Sequence, residues 1–197
     1  MTPPRTLRRD AQDNVAKLRA AALDVFLAKG LDAPLDEIAR AAGVSIGTLY
    51  NRFGSREALI DAVVPDVAGA RLRALGADVA ALPTARERLV TFVRGMIDLQ
   101  CDDPALNDAM MRRYPDATAL LEVCEVSTAL GRELVREAHA EGCLSPTFTE
   151  TDLISLLWMA GTLSRSPAQP EGWRPLLERT LTSAWLQPDA GAITRPG

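Results

Sequence analysis

Apolar residues in this chain recur at steps of three and four, and no stretch of useful length alternates at steps of two. Val15, Leu18, Ala22, Val25 and Phe26 fall on one stripe of a helix running from about Asp13 to Lys29. A chain with this period has little to offer a sheet, whose strands bury every second residue, and the expectation is an all-α fold. Punctuation divides it into successive helices. Gly30 ends the first, Leu35–Ala42 and Ile46–Phe53 are short ones around Gly43-Val44-Ser45, and Ser55 caps a fourth that Pro65 kinks or ends. Thr84-Ala85-Arg86-Glu87 is a capping box opening a helix to about Cys101. A short helix begins at Asp102-Asp103-Pro104 and stops at Tyr114-Pro115. Asp116 is placed to cap a long one ending at Gly142, Thr149 or Thr151 caps the next, and Trp173–Leu186 is the last. The tail 188–197, with its prolines and glycines, is expected to be disordered.

Charge and side-chain inventory narrow the function. Residues 1–56 hold nine Lys and Arg against six Asp and Glu, a balance of +3; the remainder holds thirteen against twenty, or −7. A basic amino-terminal segment on an acidic body fits a nucleic-acid contact at that end. The most apolar stretch, Leu153–Leu163, is too short for a bilayer, and the early Arg5, Arg8 and Arg9 are followed by no apolar leader, so neither membrane nor secretion is expected. Three cysteines (101, 124 and 143) without paired spacing fit a reducing cytoplasm and buried structural thiols. With one histidine, His139, no multi-histidine metal site can form; flanked by Glu137 and Glu141, it is expected to be exposed. No Ser/His/Asp set or glycine-rich phosphate loop is seen. No catalytic residue, metal or cofactor is expected.

The informative segment is Leu35–Phe53. A helix-turn-helix needs a small residue where its helices cross, and Ala39 stands there. It needs a residue that tolerates positive φ in the turn, and Gly43 follows four positions later. Ile38, Val44, Leu49 and Phe53 can pin both helices to a third, and Ser45 can cap the second helix while leaving its amides near a phosphate. Ile46, Gly47, Thr48, Tyr50, Asn51 and Arg52 then face outward, a set suited to reading base edges and clamping phosphates.

This stretch resembles the DNA-binding domain of the TetR/AcrR family of bacterial repressors. The resemblance lies in Phe26-Leu-Ala-Lys-Gly30, Leu35-Asp-Glu-Ile-Ala39, Gly43-Val-Ser45, Thr48-Leu-Tyr50, Phe53-Gly-Ser55 and Glu57-Ala-Leu59, in order and spacing over about residues 13–62. It implies a three-helix DNA-binding domain at 1–62, a helical ligand-binding and dimerisation domain at 63–187, a phosphate contact from Tyr50, a further one from Arg56, and base readout by Thr48 and Asn51. Pro34 departs from the family's capping Thr or Ser, and Asn51-Arg52 from its commoner aromatic-His pair.

The expected function is that of a ligand-responsive repressor binding a pseudo-palindromic duplex as a homodimer. The alternatives are a DNA-bound regulator whose carboxy-terminal half recruits a protein partner, and a helical enzyme, which lacks any catalytic constellation. Met96, Leu99, Met110, Met111, Tyr114, Cys124 and Trp158 are the candidate wall of a pocket for a small, mostly apolar effector, with Arg94, Arg112 or Arg113 as anchor if it is an acid. Leu153, Leu156, Leu157 and Ala160, with Leu176, Leu177, Leu181 and Trp185, are the candidate dimer interface.

Overall fold

The computed structural model describes residues 5–186; the tail expected at 188–197 lies outside the described residues. The chain is all-α. Its helices are α1 (Arg5–Lys29), α2 (Leu35–Ala41), α3 (Ile46–Phe53), α4 (Arg56–Val63), α5 (Pro65–Ala80), α6 (Ala85–Asp102), α7 (Pro104–Met110), α8 (Thr118–Ala140), α9 (Glu150–Ser164) and α10 (Trp173–Thr180), followed by a π-helical turn, Leu181–Trp185. Val64 separates α4 from α5, as expected of Pro65, which occupies the first position of the new helix. The continuous helix expected over Trp173–Leu186 instead widens at Leu181 and ends in an isolated antiparallel bridge from Leu186 to Leu144.

Two compact units emerge. The first gathers the residues up to Gly69 together with Asp103–Val123; the second comprises Ala70–Asp102 and the residues from Cys124 on. The segment 103–123, placed by its sequence position in the carboxy-terminal half, thus packs with the amino-terminal helices. Polar contacts account for this. The Asp108 carboxylate, wholly buried on α7, accepts the Leu31 amide at 2.8 Å. Asp61 on α4 accepts the Ala119 and Leu120 amides at 3.2 and 3.1 Å, so it takes the capping role expected of Asp116. Around α1, the helices α2, α4 and α7 close over Leu18, Ala22 and Phe26, all fully buried.

In the second unit α6 and α8 run antiparallel in a register set by four contacts. Glu141 accepts the Ala85 amide at 3.0 Å, Arg88 pairs with Glu137 at 3.1 Å, Phe92 lies against Gly131, and Ser127 donates to the Met96 sulfur at 3.5 Å. Packed on α6 is α9, opened by a capping box in which Thr149 and Asp152 satisfy each other's amides. A Cβ at Gly131 would lie 2.8 Å from the Phe92 ring edge and 3.1 Å from a Leu153 methyl. That ring is buried and cannot swing away. Overpacking costs about 1–3 kcal/mol, whereas a helical Gly→Ala gains at most about 1. Gly131→Ala should therefore lower the thermal midpoint by about 2–4 °C, followed by circular dichroism. A raised midpoint would contradict this close approach.

Candidate nucleic-acid interface

The α2–α3 unit is built as its sequence demands. Ile38 and Ala39 on α2 and Leu49 on α3 are buried at the crossing, and Val44 and Phe53 are half-buried beside them. Gly43 adopts φ +70° with open space where a Cβ would stand, so the backbone conformation rather than crowding calls for glycine. Ser45 caps α3: its Oγ accepts the Thr48 amide at 3.2 Å and lies 2.9 Å from the Thr48 hydroxyl. Ser55 caps α4 in the same way through the Ala58 amide at 3.1 Å. At Pro34 no side-chain cap forms. Gly54, at φ +81°, ends α3.

Seven of the eight expected contact residues share one exposed surface. Ser45, Ile46, Gly47, Thr48, Tyr50, Asn51 and Arg52 are all solvent-facing, and Tyr50 is 49% exposed. This surface joins a capped helix start, whose first amides point outward, to a phenol, an amide and a guanidinium. The Thr48 hydroxyl already shares a hydrogen bond with Ser45, which limits its freedom to reach a base.

Arg56 is placed differently from the expectation of a free phosphate ligand. It is half-buried, and its Nη1 donates to the carbonyls of Leu31 and Ala33, both at 2.7 Å. Arg56 thereby ties the α1–α2 loop to the start of α4.

The candidate effector residues fall into two groups. Met110, Met111 and Tyr114 belong to the first unit; Met96, Leu99, Cys124 and Trp158 belong to the second. The Tyr114 hydroxyl donates to Asp32, and burial together with that carboxylate pushes its pKa up to about 12. Tyr114 is thus a partner of the α1–α2 loop. Leu99 borders a surface pocket of about 320 Å³ with Leu75 and Asp98. A second, of about 460 Å³, lies against Cys101, Ser164, Trp173 and Arg174. Burial pushes the Cys101 thiol pKa up, while Cys124 and Cys143 are buried thiols. Of the candidate anionic anchors, Arg94 pairs with Glu178 at 3.8 Å and Arg113 with Asp32 and Asp108, each at 3.4 Å; Arg112 is exposed. His139 is half-buried rather than exposed, its Nε2 2.8 Å from the Phe148 carbonyl oxygen.

The candidate interface residues are also redistributed. Leu153, Leu156, Leu157 and Ala160 are buried within the chain, on the helix that packs against α6. Leu181 is buried, Leu177 half-buried, and Trp185 stacks at 4.8 Å on Phe148. What stays outside is Trp158 at 46%, Met159 at 53% and Leu176 at 56% exposure. The sequence period could mark α9 as apolar but could not say which side its own chain would cover.

Fold and surface together define a helix-turn-helix protein that carries a second, helical unit. Residues 18–63 match the family described as "Bacterial regulatory proteins, tetR family". The HTH-type transcriptional regulator BetI of Cronobacter sakazakii is 29% identical over 175 residues, 79% of this chain and 80% of that protein. FadR of Bacillus subtilis, solved in complex with stearoyl-CoA, shares the fold at a TM-score of 0.62 and 16% identity, over 86% of this chain and 98% of that one. A transcriptional regulator of Saccharomonospora viridis, solved with choline, does so at 0.62 and 14%, over 88% and 97%. The chain belongs to the TetR family of bacterial transcriptional regulators.

Two outcomes test this site. Arg56→Ala strips both loop carbonyls of their donor, at a cost of roughly 1–3 kcal/mol, and should lower the thermal midpoint while leaving the salt dependence of DNA binding unchanged. A slope reduced by about one with an unchanged midpoint would return Arg56 to a phosphate. The second test uses Tyr50→Phe, in which Tyr114 is the sole tyrosine. Because the folded state raises its pKa, the stabilisation from Tyr114 is complete below the unfolded value of about 10 and is lost as pH rises through about 12. Absorbance titration of native Tyr50→Phe should show phenolate near pH 12, and near 10 in guanidinium. Native ionisation near 10 would remove the Asp32 contact.

Proposed function

We propose that this TetR-family regulator is a ligand-responsive repressor that binds a pseudo-palindromic operator as a homodimer. The observation carrying the reading is the exposed α3 surface, where Tyr50, Asn51 and Arg52 stand free of the core on a helix capped by Ser45. In the major groove, Asn51 would read base edges, while Tyr50, Arg52 and the first amides of α3 would hold phosphates. Arg56 serves by holding the loop that positions α2.

Two copies related by a two-fold axis require two half-sites. We place the dimer contact on the outward side of α9 and on α10, through Trp158, Met159 and Leu176. Large apolar side chains left exposed to this extent favour a partner. Leu153, Leu156, Leu157 and Ala160 support that surface from within. The ligand complexes of the FadR and Saccharomonospora proteins support a small-molecule effector in the second unit. Such a molecule releases DNA only by preferring the conformation that binds DNA less well.

The experiment is selection of bound duplexes from a random pool with the full chain, alongside its mass in solution. The expected result is a symmetric site bound by a dimer. Asn51→Ala should change the preferred bases by about 1–3 kcal/mol per lost contact, and Trp158→Arg should yield monomer with much weaker binding. An asymmetric site, or a wild-type monomer at micromolar concentration, would overturn the reading.

A further inference from the structure

We propose that Gln100 and Ser127 form the polar end of the effector site inside the second unit, and that the effector is a mostly apolar molecule that carries no anionic head and presents an O–H or N–H donor. The inference rests on the ligand-responsive reading above and names the chemistry of its ligand.

Among the described residues of the second unit, the buried polar side chains are Gln100 and Ser127. Ser127, on α8, faces Met96 of α6, and Gln100 follows Met96 one turn later along α6. Gln100 continues the buried row Phe92, Met96 at four-residue steps, where a leucine would complete an apolar stripe. Gln100 is 2% exposed, and its Oε1 accepts no hydrogen bond. An amide oxygen buried without a donor is costly, and packing gives no reason to keep one. Ser127 donates its hydroxyl proton to the Met96 sulfur at 3.5 Å, a weak acceptor, and its own oxygen can accept in turn. The antiparallel register pairs Phe92 with Gly131 and Met96 with Ser127, so the next turn brings Gln100 level with the buried Cys124.

The group left unpaired in this patch is the Gln100 Oε1 acceptor, and a ligand that satisfies it brings a donor. Charge narrows the class further. The buried carboxylates, Asp103 and Asp108, belong to the first unit, and no buried Lys or Arg appears among the described residues. Arg88, the cation bridging α6 and α8, pairs with Glu137 three turns of α6 before Gln100. A carboxylate head beside Gln100 would therefore be buried with no buried cation to pair it, and with Asp98, Asp102 and Asp103 as its neighbours along the chain, at a cost of several kcal/mol. The ligand takes its room by displacing Met96, fully buried but unbranched and so able to change rotamer where a ring cannot, beside the small Cys124 side chain.

The test uses the full chain with three probes of one ring size: phenol, its methyl ether anisole, and benzoate. In the absence of any probe, Gln100→Leu should raise the thermal midpoint, because it removes an unpaired buried acceptor. Phenol at millimolar concentration, the affinity expected of so small a ligand, should raise the wild-type midpoint more than anisole does, and benzoate should leave it unchanged. Gln100→Leu should weaken phenol binding by roughly 3- to 10-fold and abolish its advantage over anisole. Ser127→Ala, nearly isosteric, should weaken it in the same sense. The proposal is overturned if probe-free Gln100→Leu melts below wild type, if phenol and anisole bind wild type equally, if neither binds, or if the preference survives in both variants. Binding to the selected duplex is measured in parallel. A chain that binds no duplex defeats the regulator reading alone, and the phenol comparison still decides this one.

Discussion

A buried carboxylate holds the first unit together. Asp108 sits at zero exposure on α7 and accepts the amide of Leu31, with Arg113 as its counter-ion at 3.4 Å. A carboxylate with one partner removed would be among the costliest groups in a core, so α7 and the α1–α2 loop are held in one arrangement. The same loop is gripped at other points, its carbonyls at Leu31 and Ala33 by Arg56 and its Asp32 side chain by Tyr114 and Arg113. A short connection with no secondary structure of its own is thus fixed by charged and phenolic groups from α4, α7 and the residues just after α7. The placement of α2, and through it the exposed surface of α3, depends on this grip.

Much of the helix-turn-helix was legible because its requirements are local. A capping serine, a glycine at positive φ and apolar residues at fixed steps act within a few residues of themselves, and Ser45, Gly43, Ile38 and Leu49 take the positions expected of them. The long-range polar contacts left no such trace. Asp32, Asp61 and Asp108 have partners 58 to 82 residues away, and in sequence they look like any solvated acid. Arg56 shows the same limit: its spacing fits a phosphate contact, and nothing nearby in sequence announces that its Nη1 donates to carbonyls more than twenty positions earlier. Asp116 met the local rule for a cap, but the α8 amides bond instead to Asp61.

The last helices illustrate a different limit. Leu153, Leu156, Leu157 and Ala160 have the period of a helix face, and period alone cannot separate a face covered by the same chain from one awaiting a partner. The structure assigns them to the chain's own interior. The residues left outside, Trp158 and Met159, are adjacent in sequence, whereas Leu176 belongs to α10. An α9 apolar on more than one side is what a helix needs when one side meets its own core and another meets a second surface.

Helix α8 joins these threads through its covalent continuity. Its first amides are held by Asp61 of α4, while Ser127, two turns further along, faces Met96 on α6. Gln100 belongs to the same α6 face. A molecule that satisfied Gln100 and Ser127 would exchange an unpaired acceptor and a weak thioether contact for good hydrogen bonds, and its binding energy would favour whichever placement of α8 permits them.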